Sequence, residues 1–153
     1  MLRRILFLDG SISVASLVGR VSLGLMMCIG HGYSKLNLLM SGNHSVFPDP
    51  LGIGTFMSLL GAVTTEFFLS LTLIIGLFTR LSAAALAFTM FVAAFIQHAN
   101  DAFFPSFVRG LSDMHPVLMT PSKEYASLFL VGFLMIAILG PGKFSVDALF
   151  RKR

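Results

Sequence analysis

The chain has 153 residues, of which 56% are hydrophobic and only 12% charged, against about 25% charged in an ordinary soluble domain. Mean hydropathy is +0.86, and the net charge of +4 comes from basic residues at the ends of apolar runs, a distribution that suits lipid and excludes a nucleic-acid surface. A single cysteine, Cys28, excludes an internal disulfide, a CxxC redox pair and a cysteine-based zinc site.

At the N-terminus, Arg3 and Arg4 precede an apolar stretch as in a signal peptide. No A-x-A-like cleavage site follows at a suitable distance, so the segment is expected to be retained as a helix. A bilayer core of about 30 Å needs about 20 helical residues, and the first segment that qualifies is 12–35. It holds "GRVSLGLMMCIGHGYSKL", in which Arg20, His31 and Lys35 interrupt an apolar run. Arg20 and His31 are eleven residues apart, close to three turns of 3.6. The spacing therefore puts them on one face with Gly24 and Met27, and Lys35 extends the basic stripe by one turn.

The segment 41–54, "SGNHSVFPDPLGIG", is rich in helix breakers and reads as a loop. The second span, 54–78, is interrupted only by Glu66, which shares a face with Ala62 and Ser70. "FTRLS" at 78–82 is a tight turn. The third span, 81–100, is uncharged and carries Ala83, Ala87, Ala94 and His98 as a stripe; small residues permit close helix packing. In the connection 101–123, "AFFPSFV" places Phe103, Phe104, Phe107 and Val108 at the membrane interface. Glu124 marks the entrance of the fourth span, 125–140. "GPG" ends that helix, and Phe144, Val146, Leu149 and Phe150 then lie beside basic residues, as in a short amphipathic helix on an anionic leaflet. No segment alternates as a barrel strand would. The predicted fold is all-α, a single-domain integral membrane four-helix bundle over 1–153 with a short C-terminal amphipathic helix.

Four spans put both termini and the second connection on one side. That side carries Arg3, Arg4, Arg80, Lys143, Arg151, Lys152 and Arg153, against Arg109, Lys123 and the border residue Lys35 on the other. Seven against three predicts cytoplasmic termini.

Charge inside a membrane helix is costly and faces the bundle interior. With a rise of about 1.5 Å per residue, Arg20 lies about 22 Å below Lys35 and Glu66 about 18 Å below Gly54. An Arg20–Glu66 pair near mid-membrane is therefore expected. His31 would sit above it, and Lys35, His98 and Glu124 would ring an outward-facing mouth with walls from Met27, Phe67 and Phe91. Plainer readings stand beside these: an ion pair that only locks two helices, Lys35 and Glu124 as interfacial anchors, His31 bonded to a carbonyl, His98 as an interfacial residue, and methionines as packing. No histidine spacing selects haem or a metal, and His44 and His115 carry no argued role.

"FPDPLGIG" before the second span, "TEFFLSLTLIIGLFTRLSA" across the second turn, the His98 region, "KEYASLFLVGFL" and "GPGKFSVDAL" follow the first motif in order. Together they make the sequence resemble the DoxX family of small four-helix membrane proteins. The long third connection, with "FFPSFVRGLSDMHPVLMTPS", departs from the pattern. The resemblance implies a bacterial inner-membrane protein and an oxidoreductase label. One related branch is linked to thiosulfate oxidation with quinone as acceptor, another to thiol- and superoxide-handling partners, and distant relatives act as chaperones or cargo receptors.

Two functions follow. The first is a quinone-interacting subunit of a membrane oxidoreductase system, in which His31, Lys35 and His98 supply donors and Glu66 relays protons. With no nucleotide-binding loop, flavin motif or metal motif in the chain, any other redox centre belongs to a redox or thiol-handling partner. The second is a non-catalytic scaffold or chaperone whose Phe-rich connection engages a partner protein. A transporter is disfavoured because no inverted repeat is evident.

Overall fold

A computed structural model describes residues 2–104, 107–108, 118–119 and 122–151, with side chains for 10–104 and 122–150. The first helix runs from Leu2–Met27 through a π turn at Cys28–Gly32 into Tyr33–Met40. The second comprises Thr55–Val63, a π turn at Thr64–Leu69 and Ser70–Ile75, and the third Thr79–Val92 followed by a π turn at Ala93–Gln97. The fourth is Glu124–Leu139, and a short helix, Val146–Arg151, follows it. Phe107–Val108 and Leu118–Met119 pair as a two-residue antiparallel ladder between the third and fourth helices. The reading of "AFFPSFV" as interfacial falls on Pro105, Ser106 and the side chains of Phe107 and Val108, outside the described residues, as does His115.

The burial pattern is that of a protein in lipid. Inside are Ser16, Arg20, Glu66, Ser70, Thr79 and Ser82, while Val18, Ile29, Phe88, Leu128 and Ile138 face outward. Water would reverse this arrangement; a hydrocarbon solvent favours it, because polar groups without internal partners are costly there. Among the described residues, three stretches are long and apolar enough to cross a membrane: Gly10–Met40, Thr55–Ile75 and Thr79–Gln97. The fourth helix is equally apolar but has 16 residues, about 24 Å at the helical rise.

The core lies where the third and fourth helices pack on the first. Met27, Leu73, Leu86, Met90, Phe129 and Phe133 fill it, with Ala83 and Ala87 allowing the close approach. Phe129 and Phe133 stack with ring centroids 5.8 Å apart. Met27, expected as a pocket wall, is instead fully buried in this core, and Phe91 lies on the outer surface beside Phe95.

One end of the bundle is tied to the C-terminal segment. Gly76 ends the second helix with φ +75°, where a Cβ would meet Ser145 and Arg20. Phe78 also adopts a left-handed conformation, φ 50°, which is uncommon for a side-chain-bearing residue. Asp147 holds this turn by accepting the N–H groups of Phe78 at 2.8 Å and Thr79 at 2.9 Å. Ser16 donates to the Gly140 carbonyl at 2.6 Å. At the opposite end, Asp49 caps the second helix, accepting Gly54 N–H, Ile53 N–H and the Ser58 hydroxyl.

Candidate functional site

The π turns position the site. A π turn accommodates one residue more than an α turn and often marks a functional position. Along the first helix the inward positions are Ser16, Arg20, Gly24 and Met27. Regular spacing would put His31 next in that row, but the turn at Cys28–Gly32 places Gly32 there and rotates His31 to the exposed flank. The expectation that Arg20 and His31 share a face therefore fails, and the inserted turn is the reason.

Gly32 packs directly on the π turn of the second helix. A Cβ at Gly32 would lie 2.5 Å from the Glu66 carbonyl oxygen and 2.8 Å from the Phe67 Cα. This close approach sets the register between the two helices. It brings the Glu66 carboxylate, 5% exposed, onto the Lys35 ammonium, 23% exposed, in a direct ion pair. His31 lies within electrostatic reach of both, and its ring meets Phe129 edge-on at 5.8 Å between centroids.

Glu66 therefore pairs with Lys35, not with Arg20. The first helix continues to Met40, five residues past Lys35, so its outer end lies about 8 Å higher than a helix ending at Lys35. Glu66 lies level with Gly32, and Arg20 lies opposite the far end of the second helix. There the buried Arg20 guanidinium donates to the carbonyl oxygens of Ile74 and Phe144. Ile74 lies at the C-terminal end of its helix, where carbonyls are unpaired and the dipole favours a cation.

Among the remaining candidates, His98 Nδ1 lies 2.6 Å from Asp101 Oδ2, and Glu124 opens the fourth helix. Lys123 donates to the Ala99 carbonyl at 2.7 Å, tying those two ends together. No hydrogen bond or ion pair among the described residues joins His98 or Glu124 to the Lys35–Glu66 pair, and the candidate site is built from His31, Lys35 and Glu66. Among the described residues, no group of three His, Cys, Asp or Glu side chains converges as metal ligands would.

The model of the DoxX family matches residues 15–99, more than half of the chain. The chain belongs to the DoxX family. The match takes in the first helix from residue 15 and the second and third helices, with both π turns that build the site, and thus Arg20, His31, Lys35, Glu66 and His98; Glu124 lies beyond it. No curated protein and no solved structure matches this DoxX protein. Sequence reasoning missed Asp147, whose helix-capping role follows from a contact with residues nearly seventy positions earlier. The only local signal was "SVDAL" after "GPG", a serine and an acid at the start of a helix.

Proposed function

We propose that this DoxX protein is a quinone-interacting subunit of a membrane oxidoreductase system, crossing the bacterial inner membrane four times with both termini in the cytoplasm. The observation that carries the reading is the Lys35–Glu66 ion pair with His31 beside it, set within apolar helices. Ionisable groups at such depth are costly and mark ligand or proton pathways. An imidazole has one donor and one acceptor nitrogen and suits proton exchange with a quinone oxygen. Glu66 and Lys35 form a charged pair through which a proton can pass. The electrons come from a partner with its own redox centre. A fourth span is supported by the packing of Glu124–Leu139 on the membrane helices, and the orientation by the seven-to-three bias of basic residues.

The test is saturable quinone binding in detergent by wild type, His31→Phe and Lys35→Met. Each variant is expected to weaken binding about tenfold. No saturable binding by wild type, or wild-type binding by both variants, overturns the proposal.

A second reading, a partner-binding scaffold, is favoured by Phe103 and Phe104, which are 51% and 67% exposed with ring centroids 5.0 Å apart. Quinone-free protein after lipid extraction, losing a co-purifying partner on Phe103→Ser/Phe104→Ser substitution, supports this reading over the first.

A further inference from the structure

The Lys35–Glu66 site has a flank that opens sideways, toward lipid. A groove of about 500 Å³ runs between the first and fourth helices. Leu25, Met26 and Ile29 line one side, Tyr125 and Phe129 the other, and His31 stands between them. Its size falls in the ordinary range of ligand sites, about 300–1,000 Å³. The lining is apolar apart from the imidazole and the tyrosine hydroxyl.

Two features distinguish this groove from a seam that lipid merely covers. First, the imidazole is exposed in the groove, and among the described residues neither ring nitrogen has a hydrogen-bond partner; its one ring contact is with Phe129. An unpaired polar group facing hydrocarbon is costly, and an acceptor on a ligand would remove that cost. Second, the ring lies within electrostatic reach of the Lys35–Glu66 ion pair, so a head group hydrogen-bonded to the imidazole sits beside the pair proposed to pass protons. The aromatic wall suits a planar head. Leu25 lies six residues deeper than His31, so the apolar floor extends about 9 Å inward.

We propose that this groove is a lateral binding site for a long-chain amphiphile with a planar, carbonyl-bearing head. The head accepts a hydrogen bond from His31 and lies against Phe129, and the chain runs inward over Ile29, Met26 and Leu25. The ligand enters from the bilayer, so the outward-facing mouth expected from sequence is not its route. The inference rests on the quinone reading above and adds the point of entry and the requirement for a chain.

The test uses full-length protein in detergent with two probes: a decyl-substituted benzoquinone and the same ring without the chain. Gly30 also lines the groove, and a Cβ there meets nothing within 4 Å, so Gly30→Trp fills the groove without disturbing the bundle, which its melting temperature checks; Met26→Trp is the second variant. The expected result is saturable binding of the decyl quinone, about tenfold or more weaker binding of the chainless ring, and a similar loss for the decyl quinone in either variant. If both probes bind wild type equally and both tryptophan variants bind like wild type, the groove is overturned while the quinone reading stands. If neither probe binds wild type, both fail. Displacement of the decyl quinone by phospholipid at equal concentration also overturns the groove, showing a site for acyl chains alone.

Discussion

Gly32 touches the backbone of Glu66 so closely that a methyl group at Gly32 would stand 2.5 Å from the Glu66 carbonyl oxygen. The absence of a side chain at one π turn thus lets the carboxylate of the other reach Lys35. Gly32→Ala is expected to force the helices apart and cost about 1–3 kcal/mol, the usual range for overpacking. Gly30→Ala, two residues away and facing open space, is the matched control and should leave stability unchanged or slightly raised. Thermal unfolding of both variants in detergent checks this; equal melting temperatures would show that the contact is slack.

The ion pair makes a prediction about coupling. Lys35→Met leaves the buried Glu66 carboxylate unpaired, about 3–5 kcal/mol, Glu66→Leu leaves the partly exposed Lys35 ammonium unpaired at a smaller cost, and the double variant should lose less than Lys35→Met. Arg20→Met combined with Glu66→Leu should instead be additive to within about 0.5 kcal/mol, because the two residues share no partner. Double-mutant cycles on unfolding free energy separate the two cases, and strong Arg20–Glu66 coupling would contradict the observed pairing.

Arg20 clamps the C-terminal segment. Its two charge-assisted hydrogen bonds reach Ile74 in one helix and Phe144 in another segment, each worth about 1.5–3 kcal/mol. Arg20→Met should release residues 143–151, detected as faster proteolysis at Lys143 and greater mobility of a spin label at Leu149. Arg20→Lys should rescue little, because an ammonium lacks the planar fork that spans two acceptors. Full protection in Arg20→Lys would show that charge alone holds the segment.

The same end of the molecule responds to acid through Asp147. Partial burial pushes its carboxyl upward, but the Thr79 N–H, the Phe78 N–H and the nearby Arg20 charge together hold it below the usual carboxylate range. A carboxylate depressed in the folded state adds stability above its unfolded value of about 3.9 and loses it as pH falls toward the folded value. Lowering the pH from about 5 to 3 should therefore loosen the C-terminal segment in wild type. Asp147→Asn should be looser at pH 5 and show less change on acidification. An identical pH profile for both proteins would remove Asp147 from this role.

The membrane class, the apolar helices and the family were legible in the order of residues alone. Apolar runs of bilayer length interrupted by single charges have few folded solutions, because lipid leaves backbone groups no other partner. The residues of the site, His31, Lys35 and Glu66, were also visible as charges in apolar runs. Their partnerships were not. Regular spacing placed His31 on the face of Arg20, and a helix ending near Lys35 placed Arg20 opposite Glu66. Both depended on an unbroken 3.6-residue period and on a guessed level for the helix end. A π turn shifts every later residue around the helix, and five added residues shift a neighbour by about 8 Å. Such shifts are decided by the contact of Gly32 with Glu66, between positions 34 residues apart. Asp147 at Thr79 and Arg20 at Phe144 are more distant still. A local pattern carries no information on which backbone will lie against which. Only the packed bundle settles that, by the closeness that a glycine allows and the cost of leaving a buried charge alone.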